Sequence, residues 1–267
     1  MVALVLITLL VQWKTITINP EKLNVRTGPG MDYKRIALTK SIHAQVIGQE
    51  NGWYKIRLAN NRTGWVASWL LNDKTNPKAS SLAEATIVID PGHGGSDSGA
   101  EYKNSTKKYY MEKTYTLSLA KKVAKDLQAK GARVIMTRNT DRYVGLSPRP
   151  KLAESSHANA FISFHFDSSP SANEGTGVTT YYYHTGASKR LASAVNKQFD
   201  NLPLRNNGID FGDFLVIRNN TQPAILCEMG YINTTKDFRQ IRRAGYQARV
   251  AKDVTTGLEN YFKEVQK

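Results

Sequence analysis

Two histidines and two glutamates lie where a hydrolytic centre needs such groups. Ile87 to Ala100 reads IVIDPGHGGSDSGA: a β-branched run ending in Asp90, a Pro-Gly turn, then His93 and two more glycines. This pattern predicts a buried strand that delivers His93 onto a tight turn at its carboxyl end. Open α/β sheets bind ligands at that edge. The glycines around the imidazole leave it room. His165 follows AFISF, near the end of a second apolar strand, where an ionisable ring needs a partner or a metal. Glu112 opens a long helical segment. Glu228 ends the apolar run AILC, where a carboxylate needs a raised pKa, a metal or a hydrogen-bonded water. Two histidines and a carboxylate make a catalytic zinc set with a fourth position left for water. The spacings are long and settle nothing alone. His93 also fits a capping role in a glycine-rich turn, His165 a satisfied structural histidine, and Glu112 a complement to the helix dipole.

The elements that must hold these residues follow from periodicity. From residue 85 onward strand and helix patterns alternate, which predicts an α/β fold. Strands are expected at 86–90, 132–137, 160–166, 177–183, 214–217 and 224–229. A helix over about 112–130 carries Leu117, Ala120, Val123, Ala124 and Leu127 as its apolar stripe and stops at Gly131. Others are expected over about 187–200 and 234–264, the last broken near Gly245. Residues 96–111 read as a polar surface loop rich in lysine and tyrosine.

The chain ahead of this differs. Residues 14–72 show short alternating strands near 14–18, 35–38, 44–49, 53–58 and 64–67, with turns at Gly28-Pro29-Gly30 and Asn51-Gly52, a small all-β barrel pattern. Residues 73–84 are polar, with Pro77 and paired serines, and read as a linker. Residues 1–13 begin with an apolar run of eleven interrupted only by Thr8. That is short of the roughly 20 residues that span a bilayer, and it lacks the basic start and small-residue cleavage site of a signal peptide. A truncated signal anchor and a buried first element both fit. Trp13 and Lys14, as interfacial residues, favour the anchor.

The composition limits the partners. The 37 basic and 22 acidic residues give a net charge of +15, which suits an anionic neighbour or simply a solvated basic surface. The basic residues are scattered and no nucleic-acid motif is present, so a nucleic-acid partner is not expected. One cysteine, Cys227, excludes an intrachain disulfide.

Four stretches in order, IVIDPGHGGSDSGA, MEKTYTLSLA, FISFHFDSS and AILCEMGYIN, make residues 85–265 resemble the zinc-dependent N-acetylmuramoyl-L-alanine amidases of the Amidase_3 family. LNVRTGPGMDY, NGWYKIRL and TGWVASWLL make residues 14–72 resemble a bacterial SH3 (SH3b) domain, whose relatives bind cell-wall peptide. Together with the apolar start, the arrangement is similar to membrane-anchored staphylococcal and streptococcal cell-wall amidases. The resemblance implies a mostly parallel sheet with helices on both faces, after an SH3-like barrel. It implies Zn²⁺ on His93, Glu112 and His165, with Glu228 as the catalytic carboxylate. A zinc-activated water would then hydrolyse the bond between N-acetylmuramic acid and L-alanine of the stem peptide. It also implies peptidoglycan and anionic wall polymers as partners, a membrane activator protein, and a place outside the membrane of a Gram-positive cell. A dormant wall-binding protein and a zinc peptidase cutting within the stem peptide are the alternatives.

Lesser expectations complete the reading. Asp90 or Asp97 orients His93, or caps the turn. Asp167 caps a turn. His43, His157 and His184 are surface or packing residues. Asn219 contacts substrate or shapes its loop. Trp53, Tyr54, Trp65 and Trp69 line a groove or fill a small core. HFDSS and LSPRPKLAES depart from the common family pattern, leaving substrate preference and one helix's geometry open.

Overall fold

The structure is a computed structural model that describes residues 14–71, 80–103 and 107–265. The apolar start and most of the linker lie outside these residues. The described chain forms two compact units, residues 14–71 and 80–265.

The first unit is an antiparallel sheet of six short strands: β1 (Thr15–Ile18), β2 (Val25–Arg26), β3 (Arg35–Ile36), β4 (Ile42–Glu50), β5 (Trp53–Arg57) and β6 (Thr63–Ala67). Their order is β1-β4-β5-β6-β2-β3. Ile16, Ile18, Val25, Trp53, Ile56 and Val66 are its buried centre. Of the four aromatics expected to line a groove or fill the core, Trp53 alone is buried. Trp69 packs edge-on against it at 5.7 Å. Lys55 lies over the partly exposed ring of Trp65, and Lys14 over Tyr54.

The second unit is an α/β sandwich. Its main sheet runs β10 (Arg133–Met136), β7 (Thr86–Pro91), β11 (Ala160–Asp167), β14 (Ala224–Tyr231), β12 (Val178–Tyr182), β13 (Asn206–Phe211). All neighbours are parallel except β12 and β14. The helices are α1 (Glu112–Ala129), α2 (Pro148–Ser155), α3 (Ala187–Asn196), α4 (Leu215–Arg218), α5 (Thr235–Ile241) and α6 (Ala244–Val265). The central strands β7, β11 and β14 are apolar over much of their length because both faces are covered. On one face Val88, Phe161, Ala224 and Leu226 pack against Ala153 of α2 and Val216 and Ile217 of α4. Ile87, Ile89, Ile162, Phe164 and Ile225 point to the other face, where α1, α3 and α6 pack together. No helix of the described residues is long and apolar enough to cross a membrane.

The alternation of strand and helix holds, and six details differ. Residues 214–217, expected as a strand, lead into α4, where the adjacent Val216 and Ile217 are both buried, against the alternation of a strand. The edge strand is β13, which its polar sequence NNGIDF conceals. The stripe of α1 uses buried Leu119, with Leu117 partly exposed. The C-terminal break falls at Arg242–Arg243, and Gly245 sits inside α6. Within the expected loop, β8 (Glu101–Lys103) and β9 (Tyr109–Met111) pair as a hairpin leading directly into α1. Leu82 to Glu84, read as the end of the linker, are already buried in the second unit.

Candidate metal centre

The carboxyl ends of β7, β11 and β14 converge on one spot. His165 and Glu228 are register partners on the parallel strands β11 and β14, so their side chains stand side by side on one face. His93 arrives from beyond β7 on a turn in which its own backbone is left-handed, φ +60°. That conformation costs on the order of 1–3 kcal/mol for a side chain other than glycine and persists only where its surroundings impose it. Glu112 arrives as the first residue of α1.

Three of these groups touch. His93 Nε2 lies 3.0 Å from Glu112 Oε2 and 3.1 Å from His165 Nδ1, which lies 3.0 Å from Glu112 Oε1. His93, Glu112 and His165 thus form a set that could hold a metal ion, with one atom from each within 4.8 Å of the others. The donor chemistry fits. Two ring nitrogens and a carboxylate oxygen at bonds of about 2.0–2.1 Å around a tetrahedral ion would sit roughly 3.3 Å apart, close to the spacing seen. Glu112 accepts from the backbone N–H groups of Ala100 (2.8 Å) and Phe166 (2.9 Å), and each of its oxygens also lies against one of the two rings. Asp97 accepts from His93 Nδ1 at 2.9–3.0 Å, which leaves the Nε2 lone pair facing the other two.

Glycines make this convergence sterically possible. A Cβ on Gly92 would collide with the His165 ring. One on Gly99, at φ +68°, would meet Glu112 Oε2 at 2.5 Å and His93 Cδ2 at 2.6 Å.

The charges follow from these contacts. Burial pulls His93 towards neutrality, but Glu112 and Asp97 outweigh it and its pKa is raised. Burial pushes Glu112 up, and His165 and His93 reverse this, holding it well below the usual carboxylate range. Glu228 behaves oppositely: burial first, then the charges of Glu112 and Asp167, raise it well above the ordinary value. Its Oε2 is buried without a hydrogen-bond partner among the described residues. One carboxylate is therefore locked as an anion while a neighbour is left ready to take a proton.

The other candidates separate. Asp97 is the residue that orients His93. Asp90 does not touch the ring; it is fully buried and accepts from Thr137 (2.6 Å), Ser163 (2.7 Å) and Arg149 (2.7 Å). Asp167 accepts from the Ser168 N–H, a turn contact. His43 bonds Thr17, and His184 bonds the Arg218 carbonyl. Asn219 lies at the end of α4 beside Arg218, outside the cluster. Sequence reasoning missed Arg138 and Arg149, both buried beneath the His93 turn. In a chain with 37 lysines and arginines, type alone does not mark them, although Arg149 stands between two prolines where a helix starts.

Comparison with known proteins accords with this geometry. Residues 87–260 match the N-acetylmuramoyl-L-alanine amidase family, and residues 21–72 match the bacterial SH3 domain. A relative described as a probable cell wall amidase LytH, from Staphylococcus saprophyticus, is 37% identical over 252 residues, 91% of this chain and 83% of its own. The crystal structure of an N-acetylmuramoyl-L-alanine amidase from Clostridium difficile 630 aligns with a TM-score of 0.64 at 34% identity, covering 67% of this chain and 97% of that one. The CwlD amidase of Clostridioides difficile, solved in complex with the GerS lipoprotein, aligns with a TM-score of 0.62 at 25% identity, covering 67% and 99%. The chain therefore belongs to the N-acetylmuramoyl-L-alanine amidase family, as a peptidoglycan amidase that also carries a bacterial SH3 domain.

Proposed function

We propose that His93 Nε2, His165 Nδ1 and a Glu112 oxygen hold Zn²⁺, and that Glu228 is the catalytic carboxylate for cleavage between N-acetylmuramic acid and L-alanine. The observation that carries this reading is the pairing of Glu228 with His165 across β11 and β14, with Glu228 Oε2 free to accept. When bound, Zn²⁺ supplies a Lewis acid and makes water acidic enough to be a nucleophile near neutral pH. This chain's residues do the rest. Glu112 stays anionic between the two rings, and Asp97 fixes the tautomer of His93. Glu228 takes a proton from the attacking water as its oxygen bonds to the lactyl carbonyl carbon. As the carbon–nitrogen bond breaks, Glu228 returns that proton to the leaving alanine nitrogen.

The test is product analysis with the full chain. Wild type should carry zinc and release stem peptides with a new L-alanine amino terminus. Glu228→Gln should carry zinc and release them at least about 100-fold more slowly. Near-wild-type release by Glu228→Gln would sink its role, and new termini inside the stem peptide would indicate the peptidase alternative.

The setting extends the proposal. Residues 14–72 hold the enzyme to the wall, outside the membrane, with a linker from residue 73 leading to the catalytic domain. The net charge of +15 suits anionic wall polymers. A membrane-surface protein partner is part of this reading, supported by the lipoprotein complex of the CwlD neighbour. If the purified chain binds zinc and is inactive until membranes are added, dormancy is its resting state.

A further inference from the structure

Arg138 has no solvent exposure, and among the described residues no carboxylate forms a direct ion pair with it, although Asp141, Asp90 and Asp97 act on it from a distance. Arginine is almost never fully buried without an anion, because desolvating a guanidinium costs several kcal/mol. Its donors go to a different kind of acceptor. Nε bonds the carbonyl of Pro91 at 3.1 Å, and Nη2 bonds that of Gly92 at 2.8 Å. The same Nη2 bonds the carbonyl of Lys113 at 2.9 Å and Thr116 Oγ1 at 3.0 Å, both in the opening of α1. Nη1 reaches the carbonyl of Thr140 at 3.2 Å. Thr116 Oγ1 in turn donates to the Gly92 carbonyl at 2.8 Å.

One planar cation therefore ties the turn carrying His93 to the first turns of the helix that starts with Glu112. Gly94, at φ +132°, is the opening that admits it, since a Cβ there would lie 2.8 Å from Arg138 Cδ and Nε. Arg149 covers the outer side of the same turn, donating to the Pro91 carbonyl at 2.9 Å and the His93 carbonyl at 3.1 Å. Arg149 has Asp90 as its counter-ion and does not reach α1 through any of these bonds. Of the two arginines, only Arg138 reaches both elements; from α1 itself, Thr116 Oγ1 bonds the Gly92 carbonyl and Lys113 Nζ bonds the Gly95 carbonyl at 2.7 Å.

We propose that Arg138 is the positioning residue of the metal centre: its guanidinium sets the distance between His93 and Glu112 before any ion arrives. The inference rests on the reading of those residues as metal ligands. A lysine at this position keeps the charge but has no fork, so it cannot hold both elements in one plane.

The experiment uses the full chain and measures zinc affinity by competition with a chelating dye, the absorption spectrum of the Co²⁺ form, and thermal midpoints. Arg138→Lys should weaken zinc about 10–100-fold, the range for groups that orient metal ligands from behind, and should alter the Co²⁺ spectrum. Leu258→Ala, a buried truncation in α6, is the control for destabilisation alone and should leave both unchanged. Thr116→Val, which removes one anchor, should weaken zinc in the same direction by less. Wild-type affinity in a folded Arg138→Lys, or a loss no larger than that of Leu258→Ala, overturns the proposal. If Arg138→Lys does not fold, Thr116→Val decides, and unchanged affinity there overturns it. A wild type that binds no zinc overturns the metal-site reading itself, and this one with it.

Discussion

The floor and the rim of the site are built by different means. The floor is the strand pair β11 and β14, where a backbone ladder places His165 beside Glu228. The rim is the turn after β7 and the start of α1, where His93 and Glu112 meet without a ladder between them. A left-handed backbone at His93, two buried arginines and side-chain bonds across α1 take the ladder's place. The difference teaches where precision comes from. A sheet supplies it through repetition, and a turn needs individual side chains to impose it. Loss of Glu228 from the floor should remove chemistry, whereas damage to the rim should remove metal.

The largest effect is expected on the floor. Glu228→Gln should lower turnover of purified peptidoglycan by about 10²–10⁴-fold, the range for a general acid–base group, with zinc content unchanged. Its metal-free form should also melt higher than wild type at neutral pH. The sign follows from the raised pKa of Glu228: the folded state binds the proton more tightly than the unfolded state, so ionising the group opposes folding. That cost grows as pH rises above the usual carboxylate value, and glutamine does not have it. Lost zinc in this variant would merge floor and rim into one metal-binding unit and break the distinction.

Gly92→Ala comes next, because it strikes where rim meets floor. The new Cβ would occupy the space of the His165 ring, so ring or turn must shift. Zinc affinity should fall roughly 10–100-fold, with activity falling in parallel. Unchanged affinity would mean that His165 has room to relax and that its position is not fixed by the turn.

Legibility in the sequence divides along the same line. The floor could be read because FISFH and AILCE announce buried strands that end in ionisable groups. The rim's ligands could be found only by resemblance, since nothing in their spacing reveals that His93 and Glu112 face each other. Their supports were hidden further. Arg138 and Arg149 look like two more basic residues until burial is known. Asp90 was weighed as a partner of His93, and it instead binds Thr137, Ser163 and Arg149, because alternation along β7 points it into the core. The polar strand β13 and the helix α4 exchanged places for a related reason. Periodicity reports which face is apolar, and an edge strand has little apolar face to report.

Asp97→Asn tests the rim more gently. Asp97 is partly exposed and contributes to the raised pKa of His93. Protons compete with metal for His93, so in wild type zinc affinity should begin to fall at a pH above the ordinary histidine value of 6.5. Without the Asp97 charge, His93 binds its proton less tightly, and the fall should begin at lower pH. At neutral pH the variant should still bind zinc up to about tenfold more weakly, through loss of the group that orients the ring. Dye competition between about pH 5.5 and 7.5 reads both effects (a range of about one unit either side of an ordinary histidine). An onset that does not move would remove Asp97 from the electrostatics of the site.

The smallest effect is expected beneath the floor. Ser163 sits on the same face of β11 as His165, two residues earlier, and its hydroxyl donates to Asp90 Oδ2 at 2.7 Å. Ser163→Ala removes one of the donors to a fully buried carboxylate. That should cost about 1.5–3 kcal/mol, the range for hydrogen bonds to charged groups, measured as a shift of the urea midpoint. Zinc affinity should not change, because the backbone ladder, and not Asp90, sets His165 against Glu228. A change in affinity would show that the floor, too, depends on individual side chains. In that case the buried carboxylate on the neighbouring strand β7 would join the arginines as part of what holds the centre in place.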